Sequence, residues 1–506
     1  MRFFNSLRNS AFALVGQIIT ILFGFIVRWF FIHTLGQDYL GVNSVMESML
    51  MLLSMTELGI GSSVAFALYK PIDDDNRPKI AALMSFYRKT YHIIGLLTLV
   101  VGPMLIPFMH FFTKEAADID GLTLIYILFL ANTVLSYFFA YKRTLINACQ
   151  QSYINSLSED GFALIKYALQ IVSLTVYKSY IGYLVINIVC SVAANAVISY
   201  ICDKKHPYLK EYKNEKLTKE DKDGLKTSII SLMYQKVGAK LVTGTDNLMI
   251  SYAKLTLMGI YSNYSMVVSI ISRVVHNVMS SVMGSVGNLM VQDDKELKCK
   301  VYEEFVFATF GFYFFISIGF SACLERFIAL WAGPDWVLSP LVTFVVILNF
   351  FLMGMRQPNI VIIEVAGLFN EMRMKAVGEV VVNLVVSFLF LIVFNMGIYG
   401  VLFGTTVSMV SVCVWWEIMA VHKYKLEMSS KKHWAEYFGY TAVAFIGCFL
   451  AYFVNGTISV EGFWGLILSG MCAVVIYTVM VFVIYGRSRA FKSLAGRFLN
   501  KKAVKK

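Results

Sequence analysis

An all-α polytopic membrane protein of about fourteen transmembrane helices is predicted by three features of the chain. Its 506 residues are 58% hydrophobic and only 15% charged, too few charges to clothe a soluble protein of this size. The apolar residues fall in runs of about 20 or more between polar segments, the length that crosses ~30 Å of hydrocarbon. The basic residues gather in alternate loops, the pattern of a chain threaded with its positive loops in the cytoplasm.

Taken in order, the runs lie near 10–34, 39–68, 83–112, 121–141, 156–177, 181–201, 226–253, 257–290, 302–331, 340–365, 373–395, 398–420, 434–453 and 463–485. The first follows Arg2 and Arg8, but it is too long for a signal-peptide core and lacks a small-residue cleavage site, so it reads as a retained first span. With the N-terminus inside, Lys70, Arg77, Lys79, Arg88 and Lys89 face the cytoplasm after span 2, and Lys142 and Arg143 after span 4. Eight more fall between Lys204 and Lys226, and Lys295, Lys298 and Lys300 follow span 8. Arg373 and Lys375 follow span 10, four lie between Lys423 and Lys432, and eight lie from Arg487 onward. Only Lys114, Lys178, Lys254 and Arg326 fall outside. That asymmetry places both termini in the cytoplasm of a multi-pass membrane protein. It also explains the net charge of +12 without nucleic acid.

The chain repeats itself at an offset of 218. Ser10, Leu14 and Gln17 match Ser228, Leu232 and Gln235; Gly41 and Ser44 match Gly259 and Ser262; Ser54 matches Ser272. Ser62, Ser63 and Val64 match Ser280, Ser281 and Val282, while Ala148 and Gly182 match Ala366 and Gly400. Spans 1–6 and 7–12 are therefore two copies of one six-helix lobe, a parallel repeat because six is even. The expected domains are an N-terminal lobe over 1–203, a cytoplasmic linker over 204–225, a second lobe over 226–425, and two extra helices with a basic cytoplasmic tail over 426–506. Lobes so related hold substrate between them near the bilayer midplane.

Six cations lie deep in spans: Arg28, Lys166, Lys236, Lys240, Arg273 and Arg356. Each costs roughly 2.5–3.5 kcal/mol on insertion scales. Facing inward, they line a cavity that attracts an anion, and a mixture of guanidinium forks and ammonium groups suits a phosphate or diphosphate. Lys236 and Lys240 share one face of span 7; Arg273 and His276 share one face of span 8. Other readings stand beside this one. Arg28 is near enough to the outer end of span 1 to snorkel to the headgroups, and Lys166 neighbours Glu159 and Asp160. Lys236 and Lys240 can pair with Asp246 or Glu57, and Arg356 before Pro358 can serve a helix kink. Among the acidic groups Glu47, Glu57, Asp246, Glu364, Glu379 and Glu417, the deep ones are Glu57 and Asp246. With His276, these two are candidates for ion coupling or for plain charge compensation. The eight cysteines show neither metal spacing nor a disulfide framework. No nucleotide loop, zinc motif or nucleophile elbow occurs, so no cofactor, metal or enzymatic activity is expected.

The stretches LGQDYLGVNSVMESMLMLLSMTELGIGSSVAFALYKP (35–71), YFFAYKRTLINACQQSYI (137–154) and GTDNLMISYAKLTLMGIYSNYSMVV (244–268) resemble the polysaccharide-transporter branch of the multidrug/oligosaccharidyl-lipid/polysaccharide exporter superfamily. These are the Wzx-type flippases for O-antigen and capsule repeat units, with lipid II flippases as relatives. The resemblance covers essentially the whole chain through diffuse patterns. It implies a two-lobed transporter that moves undecaprenyl-diphosphate-linked oligosaccharide to the outer leaflet by alternating access, in company with membrane lipids, a polymerase and other polysaccharide-assembly proteins. It also implies that Arg28 and Arg273 sit in helices where flippase relatives carry cavity arginines, and that spans 13 and 14 hold the lipid tail. Two alternatives remain: a cation-coupled multidrug or metabolite exporter of the same superfamily, which needs an acidic or apolar cavity, and a membrane polysaccharide polymerase, which usually carries a large outer loop that this chain lacks.

Overall fold

The structure is a computed structural model that describes residues 2–116, 119–291, 294–368 and 371–499. Among the described residues there is no strand. The helices are α1 (Arg2–Leu53), α2 (Ile60–Asp73), α3 (Arg77–Val101), α4 (Ile106–Phe112), α5 (Leu122–Phe139), α6 (Tyr141–Ala148), α7 (Ser152–Thr175), α8 (Tyr180–Lys205), α9 (Tyr208–Glu211) and α10 (Lys219–Ala253). They continue with α11 (Leu255–Val291), α12 (Lys295–Trp331), α13 (Pro340–Met355), α14 (Gln357–Ala366), α15 (Arg373–Phe388), α16 (Ile398–Ser408), α17 (Trp415–Val421), α18 (Lys431–Thr457), α19 (Gly462–Tyr485) and α20 (Arg489–Leu499). The fourteen expected runs lie mostly on helix, and the chain is a multi-pass membrane protein.

Among the described residues, eleven helical segments are long and apolar enough to cross a bilayer. The difference from fourteen has a physical cause. Spans 1 and 2 form one run, Arg2–Leu53, bent at Gly36, whose φ of 85° and ψ of −169° leave the helical region; glycine takes that conformation without a Cβ penalty. The helices of spans 5 and 7, α7 and α10, are too charged to count by hydropathy: α7 carries Glu159, Asp160 and Lys166, and α10 carries Lys236, Lys240 and Asp246.

Other departures from regular helix are local. Span 2 breaks after α1, where Ser54–Glu57 is a 3-10 turn and Gly59 adopts φ 92°. A Cβ on Gly59 would lie 2.9 Å from Ile229 O and Met233 N, so α10 packs closely against the break. The expected linker is partly helical, because α8 runs to Lys205 and α10 begins at Lys219, capped by the Thr218 side chain on Asp221 N. Leu389–Val393, Met409–Val414 and His422–Leu426 are π-helical.

The chain forms two compact units, Met1–Gly259 and Ile260–Lys506. In the first, α1 packs on α7 and α10, α7 on α8, α8 on α5, and α2 on α3, α6 and α10. Val64, Leu68, Leu83, Tyr87, Leu145, Ile146, Ile198 and Cys202 form a buried cluster at the linker end. In the second unit α12 is central, packed by α13, α18, α19 and α20. There the Phe310 ring stacks on Tyr440 at 4.4 Å and on Phe314 at 5.2 Å. Arg326 donates to Val460 O, Asn455 O and Ile458 O, satisfying carbonyls where α18 ends. Within the expected basic tail, α20 docks its Phe491 ring against Phe307 and Phe482, and Ser493 donates to Glu304.

Candidate functional site

The polar groups buried in the first unit sort into linked clusters along α1 and α10. On α1, Asn43 and Glu47 are one helical turn apart, and Asn43 Nδ2 donates to Glu47 Oε1 at 2.8 Å. Tyr180 of α8 donates its hydroxyl to Asn43 Oδ1 at 3.1 Å. Arg28, half-buried on the same helix, has Glu47, Tyr183 and Tyr180 as its electrostatic neighbours. Phe31 closes this corner edge-to-face on Tyr180 and Tyr183, with ring centroids 5.6 and 5.3 Å apart. A guanidinium held beside one carboxylate and two phenols is oriented and partly compensated. Glu47 is thus the nearest acidic neighbour of Arg28, a role that only the i,i+4 spacing of Asn43 and Glu47 hints at in the sequence.

Asp246 is buried on α10, and the adjacent Asn247 donates to Ser48 Oγ of α1 at 3.0 Å, tying the two helices together. Two turns before Asp246, Lys240 is exposed and is the cation nearest Glu57. Glu57 ends the 3-10 turn at the break and is half-buried close to Tyr87, Tyr91 and Tyr137. The Tyr87 and Tyr91 rings meet edge-on at 4.6 Å, and Tyr87 shares a hydrogen bond with Thr144 at 3.2 Å. The pairing of Lys240 with Glu57, one of the alternatives open in the sequence, thus matches their proximity. The Lys236 side chain lies outside the described residues.

Arg273 and His276 share an exposed face of α11, and neither has a hydrogen bond or ion pair among the described residues. Lys166 is half-buried on α7, over the Tyr167 ring at 5.1 Å.

Arg356 has a different setting. It is buried in the second unit and grips Glu417 with two bonds, Nε–Oε2 at 3.1 Å and Nη2–Oε1 at 2.7 Å. Its Nη1 lies 3.8 Å from Glu379, and Lys375 Nζ reaches Glu379 at 3.2 Å and Glu417 at 3.0 Å. Two cations and two carboxylates close on one another. Arg356 therefore presents no net charge to a cavity, and the kink-serving alternative matches its position before Pro358. Lys375, expected in a cytoplasmic loop, belongs to this quartet; its i,i+4 spacing from Glu379 was the signal for it.

Among the described residues, no cluster of three or more His, Cys, Asp or Glu is placed to hold a metal ion, and all eight cysteines are unpaired. Outside the spans, Asp221 pairs with Lys79 of α3 at 2.8 Å, and that ammonium group, together with the Thr218 hydroxyl, holds its carboxyl below the usual carboxylate range.

No protein-family model and no curated protein sequence matches the chain. Solved structures do. The inward-closed conformation of the lipid II flippase MurJ superposes with a TM-score of 0.67 over 94% of this chain and 98% of that one, at 11% identity. An inward-facing multidrug resistance MATE family transporter of the MOP superfamily gives 0.64 over 81% and 97%, at 10% identity. A MOP superfamily transporter from Pyrococcus furiosus, whose binding pocket is described as reversed in polarity, gives 0.52 over 84% and 96%, at 11% identity. At these identities the likeness is one of architecture: the chain has the helical fold shared by MurJ and the MATE transporters of the MOP superfamily.

Proposed function

We propose that the chain is a flippase that carries an oligosaccharide linked to a polyprenyl diphosphate across the cytoplasmic membrane by alternating access, for export of a surface polysaccharide. The observation that carries this reading is Arg273, exposed in a membrane-spanning helix and without an ion pair or hydrogen bond among the described residues. A bare guanidinium in a span is expensive unless water or a ligand anion meets it. Arg356, which has no such ligand to meet, is neutralised inside the protein. A diphosphate head group satisfies guanidinium and ammonium groups by charge-assisted hydrogen bonds, and the polyprenyl tail stays in the lipid. The likeness in fold to a lipid II flippase supports the class of substrate. Glu57 and Asp246 serve ion coupling in this scheme.

The MATE likeness favours a second reading, export of a drug or metabolite, against which the positive balance of the span charges counts. Gene deletion in the host separates the two. The flippase reading requires loss of surface polysaccharide with intact lipid-linked repeat units stalled in the inner leaflet, restored by the wild type and not by Arg273→Ala. Normal polysaccharide in the deletion strain, with altered drug efflux, overturns it.

A further inference from the structure

Within the first unit, α5, α6, α7 and α8 line a partly open cavity of about 260 Å3 whose wall includes Asn132, Arg143, Glu159, Lys166, Cys190 and Asn195. Three polar atoms on these residues are buried without a hydrogen-bond partner: Asn132 Oδ1, Asn195 Oδ1 and Arg143 Nε. Asn195 is only 5% exposed. Lys166 adds an ammonium group with no ion pair or hydrogen bond among the described residues. Arg143 spends its Nη1 on Glu159, so the wall as a whole keeps one positive charge in excess. Asn132, Lys166 and Asn195 all lie near the middle of their helices, where a bilayer supplies no water.

Each unmet group of this kind costs about 1–3 kcal/mol, so three on one wall, beside the ammonium group of Lys166, imply something that completes them. The completing species must accept from Lys166 and Arg143 Nε while donating to two carboxamide oxygens. A metal cation is opposed by Lys166. Water alone leaves the charge unanswered. An inorganic oxyanion accepts well but donates little. A ring bearing one carboxylate and several hydroxyls supplies both kinds of bond. At ~30 Å3 per water the cavity holds about eight waters, the room for one sugar ring and not for a chain of them.

We propose that this cavity is a binding site for a single acidic sugar ring, its carboxylate on Lys166 and Arg143 and its hydroxyls donating to Asn132 and Asn195. The inference rests on the flippase reading for the source of the sugar, not for the pocket itself.

Cys190 reports on the cavity it lines. In a full-length variant keeping Cys190 as its single cysteine, 2-sulfonatoethyl methanethiosulfonate labels the thiol at a rate that measures access. The expected result is that saturating D-glucuronate slows labelling about tenfold by occupancy, while D-glucose and inorganic phosphate leave it nearly unchanged. A disaccharide ending in glucuronate tests whether the ring is accepted from the end of a glycan, and protection by either form supports the site. Lys166→Gln removes the protection and Lys166→Arg retains it, which separates loss of charge from loss of folding. Failure to label, labelling that neither glucuronate nor the disaccharide slows, or equal protection by glucose and phosphate overturns the site. Because this assay reads binding without transport, the flippase reading stands or falls separately on the stalled repeat units.

Discussion

Thr256 Oγ1 donates a hydrogen bond to Asp38 Oδ1 at 3.3 Å, and the two residues stand 218 positions apart, the offset at which the sequence repeats. The contact around them is reciprocal. A Cβ built on Gly41 falls 2.5 Å from Leu255 O, and one built on Gly259 falls 2.3 Å from Gln37 O. Gln37 and Leu255 are themselves equivalent under the same offset, as are Gly41 and Gly259. Within the first unit, these two glycines let the backbones of α1 and the start of α11 approach closely.

That closeness makes a stability prediction with an internal control. Gly259→Val forces a side chain against a carbonyl that cannot move away, and overpacking of this kind costs about 1–3 kcal/mol. Gly161→Ala on α7 meets nothing within 4 Å and removes a helix-interior glycine, so it gains about 0.5–1 kcal/mol. Thermal unfolding in detergent should move the two variants in opposite directions from the wild type.

A pH dependence follows from the Asp221–Lys79 pair. The folded carboxyl titrates below its unfolded value of ~3.9, so its stabilisation is present above that value and disappears as pH falls through the folded one. The pair is partly exposed and is worth no more than about 1 kcal/mol. Melting curves of wild type and Asp221→Asn should differ at pH 7 and draw together as pH falls below about 4. A gap that does not narrow at all as pH falls below that value assigns the effect to something other than the charge.

The run lengths foretold an all-helical chain of many spans, because hydrocarbon thickness dictates how long an apolar run must be. Which way a charge faces was much less legible. Arg273 and Arg356 look alike in sequence, each a lone arginine in an apolar run, yet one stands exposed and the other is enclosed by Glu379, Glu417 and Lys375. Ion partners brought from other spans leave little periodic trace. Nor does an apolar run show where it bends: Gly36 joins two expected spans into one helical run, while Ser54–Glu57 interrupts a span expected to be continuous.

The two arginines should therefore fail in different ways when replaced. Arg356→Ala leaves Glu379 and Glu417 with a single cation, and breaking a buried pair in this manner costs about 3–5 kcal/mol. Arg356→Met combined with Glu417→Leu removes both charges and should recover much of that loss. Arg273→Ala removes an exposed group without a partner, so its stability should stay within about 0.5 kcal/mol of wild type while transport is lost. Unfolding temperature and repeat-unit export, measured on the same preparations, check both.

Glu57 and Lys240 offer the sharpest test of how the break in span 2 is used. The 3-10 turn ends at Glu57, Leu58 turns extended, and Gly59 swings to positive φ, so the carboxylate stands at a discontinuity and not on a helix face. Lys240 is its cationic neighbour among the described residues, and Tyr87, Tyr91 and Tyr137 lie close by. Half-buried Glu57, left without Lys240, keeps a charge without its neighbour. Glu57→Gln and Lys240→Gln should each destabilise, and the double variant should lose less than the sum, by about 0.5–3 kcal/mol if the two act as a pair. Transport separates structure from coupling. If Glu57 carries the coupling ion, Glu57→Gln in vesicles should move substrate down its own gradient yet ignore an imposed ion gradient. The double variant should do the same despite its recovered stability. An ion response restored along with stability in the double variant would make the pair a structural one.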